Sequence, residues 1–249
     1  MKVRYGLPES SIAGLQDCKF ALPGNAPDHC SSRRLRELFA RVLSCRMRFC
    51  PSCRSADDHF LRCRRGAEYL KSAGKCNILS MHARSLIFIH ARFSSDAVER
   101  AGFRVGRIWV GPRDAPQSFV AAHIDVQSHL SRIISATEKM APIVRLYALL
   151  LTVNIIHPFE DGNCRLMLAI AFVFSIHYHC DFFAFLAIYI KVMQREFVHA
   201  IELAADGAPG ALEEFNCAAL ELFERLRVNP GGLEEWGRGV LLGRILAEP

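Results

Sequence analysis

Apolar residues recur every three or four positions across residues 124–134 and again across 143–156, a spacing that gathers them on one face of a helix. Residues 166–174 are apolar at nearly every position, and a segment apolar all round predicts a helix at the centre of a core. Helical patterning continues through residues 191–205 and 210–227, with a short further piece after Gly231 and Gly232. The run from 166 to 190 has the outline of a membrane span, but His177, His179 and Asp181 interrupt it before about 20 clean apolar residues accumulate. Around residues 102–112 the period shortens. Apolar residues alternate about Arg104, Arg107 and Arg113, bounded by Gly-Pro and Ala-Pro pairs, which predicts a β-hairpin. The pattern therefore predicts an all-α bundle core with one short hairpin, and no internal repeat.

With 249 residues, 51% of them hydrophobic, the chain can bury one substantial core and a small appendage. Its charge is uneven. Residues 1–80 hold 15 Lys and Arg against 7 Asp and Glu, while the whole chain carries +6, so the remainder is slightly acidic. Most of the excess lies between Arg33 and Arg65, and with few interleaved aromatic residues it reads as a solvated face rather than a nucleic-acid surface. Cys50, Cys53, His59 and Cys63 fall in the same stretch and have the donor types of a tetrahedral zinc site. Their spacing matches no familiar zinc module, and reduced thiols are the competing reading. Ten cysteines without a signal peptide argue against a disulfide framework and for a reducing, cytoplasmic compartment, with delivery into another cell left open.

The chemistry concentrates in residues 157–165, His-Pro-Phe-Glu-Asp-Gly-Asn-Cys-Arg. His157 supplies an imidazole able to take a hydroxyl proton near neutral pH. Asp161 offers a hard oxygen for a magnesium ion that completes its shell with phosphate oxygens. Gly162, Asn163 and Cys164 stand where an apolar helix begins, so their N–H groups are expected to receive phosphate. Arg165 adds a permanent cation with a donor fork. Pro158 and Phe159 have no such chemistry and are expected to pin the loop to the core.

This run resembles the signature of the Fic family, HPFx(D/E)GNGRxxR, meeting seven of its nine specified positions. The resemblance implies a Fic-type helical bundle with a β-hairpin flap, and an enzyme that moves AMP from ATP to a Ser, Thr or Tyr hydroxyl of a target protein. It implies His157 as general base, Mg²⁺ on Asp161, and phosphates held by Gly162, Asn163, Cys164 and Arg165. Two positions depart from the signature. Cys164 replaces the second glycine and adds a Cβ where backbone would approach phosphate, and Leu168 replaces the terminal arginine that clamps the γ-phosphate. Doc kinases of the same superfamily also end their motif in Leu and bind the nucleotide reversed, although they carry Lys at the Cys164 position. A Doc-like kinase, a transferase with another donor, and a disabled binding module are therefore the alternatives.

The resemblance extends beyond the motif. Arg104, Arg107, Ile108, Trp109 and Val110 look like the family's flap, whose exposed strand could pair with an extended target segment. Arg195-Glu196-Phe197 resembles a segment whose aromatic ring flanks the nucleobase, so Phe197 is a candidate stacking face, with core packing as the alternative. Residues 9–14 resemble the inhibitory helix (S/T)xxxE(G/N) at Gly14, with Ser10 one place after the Ser/Thr position, but Ala13 stands at the glutamate position and Leu168 at its arginine partner. Losing both charges together strands neither ion. The expected division is a basic N-terminal segment with this remnant over residues 1–78, a Fic domain over 79–227, and a helical extension over 228–249.

Overall fold

The computed structural model describes residues 2–4, 7, 9–23, 82–93, 102–110, 118–120, 125–229 and 232–241. In chain order the elements are β1 (Lys2–Arg4), α1 (Glu9–Gly14), α2 (Ala83–Phe93), β2 (Ile108–Val110), β3 (Ser118–Val120), α3 (Val126–Thr137), α4 (Pro142–Ile156), α5 (Asn163–Tyr178), α6 (Asp181–Val192), α7 (Gln194–Ala205), α8 (Gly210–Arg227) and α9 (Gly232–Leu241). The architecture is an all-α bundle with one small sheet. Cys50, Cys53, His59 and Cys63 lie outside the described residues, as does the basic stretch between Arg33 and Arg65.

Helix α4 is the axis of the bundle. Pro142 opens it, at a position where the missing N–H costs nothing. Every later residue of the helix is buried, and α3, α5 and α7 pack around it. Helix α5 is nearly as enclosed, held between α4, α6 and α2. The long apolar run that bridges α5 and α6 is cut at His179, which takes the left-handed conformation (φ 49°) while its N–H bonds Ser175 O. That cut leaves two helices packed on each other in place of one span, and no helix among the described residues is long and apolar enough to cross a membrane.

The expected hairpin is present but belongs to a larger sheet. β2 runs antiparallel to β3, with Trp109 opposite Phe119, and β1 adds to the other edge of β3 in parallel. Part of the N-terminal segment packs on the bundle between residues 9 and 23. Ile12 and Leu15 are buried with the bundle, and Phe20 stacks on Tyr147 of α4 at 4.7 Å between ring centroids. Their apolar side chains escape pattern reading because only six residues of this stretch are helical.

Candidate active site

The site forms where α4 ends and α5 begins. His157 terminates α4 in the left-handed region (φ 47°, ψ 68°), a conformation that costs an L-residue roughly 1–2 kcal/mol. The surroundings hold it there. Its N–H bonds Val153 O at 3.0 Å, and its own carbonyl accepts from Arg104 Nε at 2.7 Å. The imidazole Nδ1 donates to Asn154 O, since a carbonyl can only accept. The neutral ring then carries its basic lone pair on Nε2, the atom turned away from its own helix end.

Residues 159–163 close on themselves. The Asn163 side chain accepts from Phe159 N at 3.1 Å and donates to Phe159 O at 2.8 Å, so its amide shapes the loop. Gly162 caps α5 at φ 81°, a value glycine adopts without strain. The first bond of the helical ladder is Leu166 N to Gly162 O at 2.9 Å, so the amides of Gly162, Asn163 and Cys164 precede it. Arg165, 3% exposed, bonds Asp161 Oδ2 at 2.9 Å, while the Asp161 side chain keeps 41% exposure. Two opposite charges thus share one rim of the loop.

For magnesium, the donor chemistry fits. Mg²⁺ is commonly held by one or two carboxylates together with substrate phosphates and water, and Asp161 is such a carboxylate with an exposed face. No group of three or more His, Cys, Asp or Glu that could hold a metal occurs among the described residues, so an all-protein cage is not the arrangement offered.

Several expected site residues sit elsewhere than the sequence suggests. Arg104, expected on the docking flap, is 5% exposed. Its guanidinium bonds Ile156 O at 3.1 Å, His157 O at 2.7 Å and Gly106 O at 2.7 Å, and its N–H bonds Pro158 O at 2.9 Å. It satisfies carbonyls at the end of α4 and cannot face a target. Burial pushes its guanidinium down from the ordinary arginine value. Arg107 and Trp109 do point outward, Trp109 at 51% exposure, while Ile108 and Val110 are half-buried. Phe197, the candidate base-stacking ring, is 1% exposed and packs on Phe215 at 5.2 Å, the core alternative. It reaches only a narrow hollow shared with Cys164, Met167, Leu168, Lys191 and Gln194. Leu168 is likewise buried.

At α1, Ser10 and Ala13 are exposed, whereas Ser11 donates to Ala205 O at 3.1 Å. A Cβ on Gly14 would touch Pro209 Cγ at 3.3 Å. The short helix therefore rests on the end of α7.

His90, which nothing in the sequence pattern singles out, lies against the motif from α2. Its ring stacks on Phe159 at 3.8 Å with an interplanar angle of 1°, and Nε2 donates to Asp161 O at 2.6 Å. Burial and, to a smaller degree, the nearby Arg165 charge lower its pKa from the ordinary histidine value, against the opposing pull of the Asp161 bond.

A buried helix that ends in an oriented histidine, followed by a glycine-capped helix start with an acid and a guanidinium, defines a Fic-type helical core. Residues 80–175, which contain α2 through Ser175 of α5 and the whole motif, match the Fic/DOC family model. The fold is similar to the crystal structure of a Fic family protein from Desulfovibrio desulfuricans G20. The TM-score is 0.59 at 16% identity, over 88% of this chain and 74% of that one, a likeness of fold. No curated protein matches the chain.

Proposed function

We propose that the protein is a Fic-type transferase that moves AMP from ATP to a hydroxyl side chain of a target protein. The observation that carries this reading is the His157 ring, whose Nδ1 is committed to Asn154 O so that Nε2 is the basic nitrogen. In the reaction, His157 Nε2 takes the proton of the target hydroxyl as its oxygen attacks the α-phosphorus. The bond from that phosphorus to the bridging oxygen breaks, and pyrophosphate departs with the electron pair. The amides of Gly162, Asn163 and Cys164 and the Arg165 guanidinium face the charge of the phosphates, and charge stabilisation of this kind is the main contribution enzymes make to phosphate transfer. Asp161 would hold Mg²⁺, which supplies charge neutralisation when bound. The outward face of β2, with Arg107 and Trp109, is the docking edge for an extended target segment.

Buried Leu168 favours a second reading. With no terminal arginine to fix the γ-phosphate, a reversed nucleotide and phosphoryl transfer become the competitor. Incubation with ATP labelled at either phosphate separates the two: α-label appears on the target for adenylyl transfer and γ-label for a kinase. Absence of both, with target binding retained, is the signature of a disabled module. His157→Ala is expected to reduce transfer at least about a hundredfold, the scale of general-base catalysis, with ATP affinity nearly intact. Wild-type turnover in that variant would reject the mechanism.

A further inference from the structure

The turn that carries the motif's amides is held by contacts inside the loop and, from α2, by His90. In a trans peptide the carbonyl and the following N–H point in opposite directions, and no cis bond occurs among the described residues. Holding Asp161 O toward α2 therefore turns the Gly162 N–H away from α2. The atom that holds it is His90 Nε2, at 2.6 Å. The imidazole lies flat on Phe159 at 3.8 Å, and Phe159 is tied at both backbone groups to Asn163. The fit is close enough that a Cβ on Gly162 would come within 2.9 Å of His90 Nε2.

We propose that His90 is a positioning residue for phosphate binding, aiming the Gly162 N–H at the nucleotide by anchoring the Asp161 carbonyl. The inference rests on the reading that this turn receives a triphosphate. It assigns His90 a proton on Nε2, because the carbonyl it meets can only accept.

His90→Phe keeps a flat ring for Phe159 and removes the donor. His90→Gln returns an amide N–H near the place of Nε2. Binding of Mg·ATP is measured by calorimetry for the wild type and both variants, alongside thermal midpoints. The amide signal of Gly162 and the ring nitrogens of His90 are followed by ¹⁵N NMR. The expected result is a folded His90→Phe protein with ATP binding weakened about tenfold, the loss of one well-aimed hydrogen bond to a charged group, and a displaced Gly162 signal. His90→Gln recovers most of the affinity. Unchanged binding in His90→Phe while the wild type binds ATP overturns the role of His90 alone. A folded His90→Gln no better than His90→Phe does the same, since it reduces His90 to packing. A wild-type ring that carries no proton on Nε2 overturns it without any variant. A wild type that does not bind Mg·ATP overturns the transferase reading and the inference with it.

Discussion

His157 and Gly162 both adopt positive φ, and the two have opposite physical meanings. At Gly162 the conformation is free, and any side chain would add strain and meet His90 Nε2. Gly162→Ala is expected to cost about 1–3 kcal/mol, read from chemical denaturation, and to weaken ATP binding. At His157 the strain is held in place by Arg104 and Val153, so the residue is where structure yields to chemistry. Leu168 tests another point. Read from sequence, an arginine there would restore the missing clamp, but the position is 2% exposed inside the bundle. Leu168→Arg is therefore expected to destabilise by more than about 2 kcal/mol, whereas Leu168→Met costs less than about 1.5 kcal/mol. A calorimetric scan of the two variants decides it. The candidate motif residues were legible because they stand in one contiguous run. Asn154 and His90 were not, since one acts through its backbone carbonyl and the other from a helix far away in the chain.

Among elements, the helices from α3 onward were the legible part, because α4 and α5 are apolar nearly all round and α3, α7 and α8 keep apolar residues at helical spacing, whereas α2 was not foreseen. α8 begins and ends at Gly210 and Arg227, as the pattern predicts. The helix starts were less so. α3 opens at Asp125, whose carboxylate accepts from Ser128 N at 3.0 Å and Ser128 Oγ at 2.8 Å. These bonds hold its carboxyl below the ordinary aspartate range, with a smaller contribution from His129. A folded-state pKa below the unfolded one means the cap stabilises above the unfolded value and its contribution is lost as pH falls through the folded one. Asp125→Ala is thus expected to lower the thermal midpoint at neutral pH, and the gap to wild type should close on acidification below that range. A constant gap across pH would show that the charge of the cap contributes nothing. The sheet was only half legible: alternation about Arg107 and Trp109 marks β2, but three residues of β1 carry no period at all.

At the scale of the molecule, one polar chain joins segments nearly two hundred residues apart. Tyr147 O–H donates to Asn216 Oδ1 at 3.2 Å, and Asn216 Nδ2 donates to Ala21 O at 3.0 Å. Tyr147 and Asn216 are wholly buried, and burial holds the phenol well above its ordinary pKa. Asn216→Ala leaves the hydroxyl without its acceptor, at an expected cost of about 1–3 kcal/mol. Hydrogen exchange should then rise first in residues 19–23, which depend on that amide. Protection unchanged there would mean Phe20 alone anchors the segment.

β1 meets β3 across a separation of more than a hundred residues, Lys2 opposite Ser118. On a ribosome the first strand emerges long before its mate exists, and closing so wide a loop is entropically slow. The rim on which a target strand would be received therefore cannot close until residues 118–120 have been made.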